Sequence, residues 1–185
     1  MPLEPWRLAG KLSLAIALLF AMVGVVGWLF HDPLVIAGNA IVDIGGIAGI
    51  ALVVVLLDPL PGLGFIPGLM VGTAAQVHGG ALYFVTIAAS LVSSILGWVI
   101  GKYAGNLAFV RWTLGATGAM TLVGRWGARA VALASVTPLP YGLATVAAGA
   151  SGMPLRLLMF AATARWLKIG LSLLAVRAGW SVSGG

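Results

Sequence analysis

The sequence predicts an all-α integral membrane protein with about four spanning helices and two Pro/Gly-broken re-entrant hairpins in an inverted-repeat-like arrangement. Three observations predict it. The first is composition: of 185 residues, 61% are hydrophobic and 8% charged, and the mean hydropathy is +1.12, whereas a soluble domain is nearer a quarter charged. The second is that apolar runs of helix length recur along the chain. The third is that two of these runs are interrupted by almost the same word, Asp58-Pro-Leu-Pro-Gly-Leu-Gly-Phe-Ile-Pro-Gly68 and Thr137-Pro-Leu-Pro-Tyr-Gly-Leu-Ala-Thr-Val-Ala-Ala-Gly149. Proline removes a backbone donor and clashes with the preceding turn, so no α-helix runs through Pro-x-Pro unbroken. Broken backbone at membrane depth is tolerated only where protein buries it or a wet cavity solvates it. Similar breaks in the two halves of a membrane protein point to a transport site between structural repeats.

The elements follow in order. Residues 1–57 form an N-terminal pair of membrane helices. Arg7 and Lys11 precede an uncharged run over 12–30, which at 1.5 Å per residue spans roughly 28 Å, enough for a bilayer core. It lacks a small-x-small cleavage site and reads as an anchor rather than a cleaved signal. His31-Asp32-Pro33 reads as a turn, with proline suited to start the next helix. Residues 34–57 are the second apolar segment, which contains Asn39, Asp43 and a face of Gly38, Gly45, Gly46 and Gly49. Residues 58–180 form a second unit. Its first hairpin covers 58–80, followed by a helix over 81–101, where Gly97, Gly101 and Gly105 make a small-residue packing face. Residues 102–128 are the least apolar. There Lys102, Arg111 and Arg125 alternate with Phe109, Trp112 and Trp126, the pattern of a basic segment lying in the membrane interface. The second hairpin covers 129–153, and a last helix covers 154–177.

Charge and cysteine content exclude several functions. The net charge is +6, from ten Lys/Arg against Glu4, Asp32, Asp43 and Asp58. The basic residues sit near segment ends rather than in a stripe, so the expected partners are membrane lipids with anionic headgroups and not nucleic acid. The absence of cysteine excludes disulfide and thiolate chemistry. His31 and His78 have no second ligand at metal spacing. Ser90, Ser93 and Ser94 have no nearby base, and there is no phosphate-binding loop. No cofactor, no metal and no enzymatic activity are expected.

The segment Gly124-Arg-Trp-Gly-Ala-Arg129, continued by Thr137-Pro-Leu-Pro-Tyr-Gly through Met153-Pro154, resembles the DedA/VTT superfamily of membrane proteins, closest to its short YqaA-like branch. The resemblance covers roughly residues 58–177. It implies two re-entrant hairpins entering from opposite faces. The implied activity is lipid translocation in the bacterial inner membrane, a scramblase- or flippase-like handling of phospholipid or polyprenyl-phosphate headgroups. Asp58 stands where an acidic residue is common in the first loop. The chain departs from its transport-active bacterial relatives at Ser135 and Tyr141, where those carry arginines, and at Leu69, where an acidic residue often stands. The resemblance therefore does not imply proton coupling.

Ionisable residues within apolar segments default to functional candidates. Arg165 and Lys168 share a face of the last helix at i,i+3, and Asp43 and Asp58 are the acids within reach of membrane depth. A cation pair facing a cavity can receive a lipid phosphate; an internal salt bridge from Asp43 or Asp58 to Arg165 is the structural alternative. Pro61, Pro67, Pro138 and Pro140 shape the cleft, and Tyr141 and Thr145 either donate to a headgroup or satisfy the loop's own backbone. Arg125, Arg129 and Arg156 flank the second break, as recruiters of headgroups or as topology-setting charges. Two other functions stay open: a non-catalytic structural subunit of a larger membrane complex, and a small-ion or solute channel. A homo-oligomer or a membrane-protein partner is compatible with each.

Overall fold

A computed structural model describes residues 25, 29–59, 64–137 and 141–183. Among the described residues all regular structure is helical: α1 (His31–Leu57), α2 (Ile66–Ala74), α3 (Gly79–Ala104), α4 (Ala108–Ala116), α5 (Ala119–Trp126), α6 (Ala128–Val136), α7 (Tyr141–Ala150), α8 (Leu155–Ala162) and α9 (Arg165–Ser183). Among the described residues three stretches are long and apolar enough to cross a membrane: Asp32–Leu57, Gly79–Ala104 and Leu155–Ala178. The chain is therefore an all-α protein of membrane-embedded type. The apolar run over 12–30 lies outside the described residues, apart from Val25, Leu29 and Phe30.

The N-terminal half is built on a helical hairpin. α1 begins at His31, so the His-Asp-Pro sequence is its first turn rather than a separate one; proline lacks only an N–H that this turn leaves unpaired anyway. α1 bends at Gly46, whose φ of +55° and ψ of −147° are non-helical, a conformation available to glycine without steric cost. Beyond the first break α2 runs back along α1. Gly68 packs on Val54, Gly72 on Ile50 and Leu82, and Gly38 on Val71, Ala74 and Ala75, which fixes the pair as antiparallel.

α3 is the central helix and touches both halves. Its N-terminal part runs antiparallel to α9: Gly79 lies beside Arg177, Gly170 beside Tyr83, and Arg177 Nη2 donates to the Val77 carbonyl at 3.1 Å. Its C-terminal part runs parallel to α7, with Gly97 on Thr145, Gly101 on Val146 and Ala150, and Gly149 on Trp98 and Lys102. Small residues allow this close backbone approach, so the expected glycine face is the α3–α7 interface. The last apolar segment is not one helix. Thr163 N–H bonds to Phe160 O and Trp166 N–H to Thr163 O, short i→i−3 steps that divide it into α8 and α9.

Two apolar cores result. One unites α1, α2, α3 and α9 around Ile50, Val54, Phe65, Leu69, Leu82 and Ile169. The other unites α4 to α8 around Leu114, Val123, Val131, Tyr141 and Leu158. Leu91 of α3 packs against both, and the polar residues described next lie where the two meet.

Candidate functional site

The described residues that flank the two Pro-Leu-Pro breaks, Pro59 on one side and Gly142 on the other, pack against each other. Asp58 closes α1, its N–H bonded to the Val54 carbonyl, and Pro59 prevents a further turn. On the other side α6 ends at Val136 and Thr137 turns extended, with ψ of 168°. The next described residues, Tyr141 and Gly142, open α7. A Cβ at Gly142 would collide with the Pro59 backbone, so glycine at this position is what lets the two breaks touch. α2 leads away from this contact toward the N-terminal end of α3, and α7 leads toward its C-terminal end. Ser90 and Ser94, near the middle of α3, mark the level at which they meet.

Arg165 binds here because the α8–α9 division puts it at the first position of α9. Its guanidinium grips Asp58 with both terminal nitrogens: Nη1 donates to Oδ2 at 2.8 Å and Nη2 donates to Oδ1. Planar fork-to-carboxylate pairing of this kind is the strong form of an ion pair. Ser90 Oγ also donates to Oδ2, at 3.1 Å. Ser94 Oγ donates to the Ser90 carbonyl at 2.7 Å and lies 2.9 Å from the Tyr141 hydroxyl. A serine hydroxyl has one proton, so Tyr141 is the donor in that second bond. The Arg165 guanidinium lies 4.0 Å from the Tyr141 ring centroid and 4.9 Å from that of Phe65. One ring comes from each core, and both supply the negative face that a desolvated cation favours.

The centre is closed and carries surplus positive charge. Asp58 is 2% exposed and Arg165 3%. Lys168, one turn further along α9, donates to the Thr137 carbonyl at 2.7 Å, one of the carbonyls that the second break leaves without a helical partner. With both cations protonated, two positive charges one turn apart on α9 accompany the single carboxylate of Asp58. Arg165 Nε is buried with no hydrogen-bond partner, as are the hydroxyls of Thr73, Thr86 and Ser172 on the three helices packed around this region. Buried donors without partners are uncommon and mark places where water, an ion or a ligand can bind.

The structure brings together four of the sequence candidates: Asp58, Tyr141, Arg165 and Lys168. Asp43 is not among them. It is exposed on α1, so of the two acids considered for Arg165 the partner is Asp58. Thr145 takes the second of the two roles open to it, that of satisfying the loop's own backbone. It donates to the Gly142 carbonyl at 2.7 Å and packs on Gly97, which places it in the α3–α7 interface and satisfies it locally. Pro67 is in the first turn of α2, where its missing N–H costs nothing. Pro61, Pro138 and Pro140 lie outside the described residues. Arg125 and Arg129 line a surface hollow away from Asp58, and Arg156 is exposed at the start of α8. Sequence reasoning missed Phe65, and it weighed Ser90 and Ser94 only as nucleophiles without a base, not as partners of Asp58 and Tyr141. The i,i+4 row Thr86-Ser90-Ser94, buried on an otherwise apolar helix, is the signal that would have found the two serines.

Comparison with family models, with curated proteins and with solved structures gives no match for this chain.

Proposed function

We propose that this protein translocates anionic lipid headgroups across the membrane through the region where its two breaks meet, the activity that the DedA/VTT resemblance implies. On this reading residues 58–80, which include α2, and residues 129–153, which include α7, are re-entrant hairpins from opposite faces, and the Asp58–Arg165 pair is the closed state of the path between them. The observation that carries the proposal is the charge of the centre: Arg165 grips Asp58, Lys168 adds a second cation one turn along α9, and Arg165 keeps an unused buried donor. A phosphate arriving there meets a cation-rich, partly unsatisfied site. It can compete with Asp58 for the guanidinium, and Ser90 and Ser94 can then satisfy the freed carboxylate.

A second reading is favoured by the burial of the same pair. Both Asp58 oxygens are engaged and both residues are nearly inaccessible, as expected of an internal lock in a non-catalytic subunit of a larger membrane complex. Reconstitution of the purified chain in liposomes, with an assay of labelled-lipid flipping, separates the two. Translocation requires flipping by the wild type and a changed rate in Asp58→Ala and Arg165→Ala. Absence of flipping by the wild type, together with co-purification of a fixed partner, establishes the subunit reading instead.

A further inference from the structure

Away from the Asp58–Arg165 centre, α5, α6 and α8 enclose a groove of mixed character. At one end Arg125, Trp126 and Arg129 line a hollow of about 370 Å³. At the other, Ala128, Ala132, Phe160, Ala161 and Ala164 line a hollow of about 350 Å³ whose wall is almost wholly apolar, and Arg129 belongs to both. The groove therefore has a cationic head and an apolar trough joined at one side chain. Arg125 and Arg129 are exposed, and neither makes an ion pair or hydrogen bond with another described residue. Nor, among the described residues, does a carboxylate line either hollow. Of the four acids in the chain, Asp58 is held by Arg165, Asp32 and Asp43 lie on α1, and Glu4 is outside the described residues. The charge at the head is thus unanswered among the described residues.

The walls have the chemistry of a lipid contact. Trp126 is 52% exposed beside the arginines, a position suited to the headgroup level of a bilayer. Phe160 is 78% exposed along the trough, with alanines opposite that leave room for a chain. We infer that this groove is a binding site for one anionic phospholipid, its phosphate between Arg125 and Arg129 and one acyl chain lying along Ala132, Phe160 and Ala164. Paired guanidinia recognise phosphate oxygens with directional hydrogen bonds, and the trough supplies apolar burial that a free phosphate cannot use. The site does not depend on translocation and holds for either reading of the Asp58–Arg165 centre.

The test is native mass spectrometry of the detergent-solubilised full chain titrated with palmitoyl-oleoyl phosphatidylglycerol, with phosphatidylcholine of the same chains, and with glycerol 1-phosphate. Phosphatidylglycerol is expected to bind one per chain and at least tenfold more tightly than phosphatidylcholine, with glycerol 1-phosphate failing to displace it. R125Q/R129Q is expected to abolish that preference, and F160A to weaken phosphatidylglycerol about threefold. R111Q, on the neighbouring basic helix and outside both hollows, is expected to leave it unchanged. All four substitutions are at exposed positions, so thermal unfolding alongside should match the wild type. Equal binding of the two lipids overturns the site. So does displacement by glycerol 1-phosphate, which would show a plain anion patch, or an equal loss in R111Q, which would show diffuse surface charge.

Discussion

Arg165 and the Arg125–Arg129 pair are cations on the same apolar scaffold, yet the protein treats them in opposite ways. Arg165 is almost fully buried, gripped on two nitrogens by Asp58 and faced by the rings of Tyr141 and Phe65. Arg125 and Arg129 are exposed, unpaired among the described residues, and open to a hollow. Burial explains the difference. A charge removed from water is costly unless a counter-ion and hydrogen bonds meet it, so the inner arginine comes with the Asp58 carboxylate and the rings of Phe65 and Tyr141, and only its Nε is left without a partner. A charge at the membrane surface is met by solvent or by headgroups, and the protein need provide nothing. The inner centre is therefore a part of the fold, and the outer pair is a surface available to a partner.

The comparison can be broken most forcefully at Asp58. Asp58→Ala leaves a buried guanidinium unpaired, and a loss of about 3–5 kcal/mol is expected, measured as a fall in thermal unfolding temperature in detergent. The double variant Asp58→Ala/Arg165→Met should recover much of it, because the removal of both charges leaves nothing uncompensated. A double variant as unstable as the single one would show that the pair is not a unit. Next comes Gly142→Val. Its side chain would meet the Pro59 backbone, which cannot yield as a side chain can, so a loss of about 3 kcal/mol is expected, the upper end for overpacking. Ser90→Ala removes one hydrogen bond to the carboxylate and should cost about 1.5 kcal/mol. The smallest effect belongs to the outer pair. R125Q/R129Q should change stability by less than about 0.5 kcal/mol while its anionic-lipid preference disappears. If that variant unfolds as readily as Asp58→Ala, the contrast between inner and outer arginines is wrong.

Much of the inner centre was legible in the sequence, for physical reasons. Prolines announce their breaks wherever they stand, and an Asp or Arg inside an apolar run signals a buried partner. Asp58, Tyr141, Arg165 and Lys168 were visible in this way. Pairing was not: Asp58 and Arg165 are 107 residues apart, and Asp43 was an equal contender because α1 is apolar all round and its sequence does not say which side faces inward. The division between α8 and α9 was also hidden, since no proline or glycine stands at Thr163-Ala164. It is seen only in the backbone bonds that place Arg165 beside the breaks. Phe65 escaped notice because one aromatic among many apolar residues carries no mark of the cation it will cover. For Thr145 the sequence leaves two roles open, because a hydroxyl near a break can serve a ligand or its own backbone, and the Gly142 carbonyl decides for the second.

The claim that the meeting point of the breaks handles anionic headgroups rests on its surplus positive charge, and Lys168 is the member of the centre that can be neutralised most gently. Lys168→Gln keeps a donor for the Thr137 carbonyl and removes one charge. The direct measurement is labelled-lipid flipping in liposomes containing either the wild type or this variant at equal protein density. The expected result is flipping by the wild type and a rate about tenfold lower for Lys168→Gln, equivalent to about 1.4 kcal/mol, with unfolding temperature little changed. Wild-type liposomes that flip no faster than protein-free ones, or equal rates for the two proteins, would contradict it.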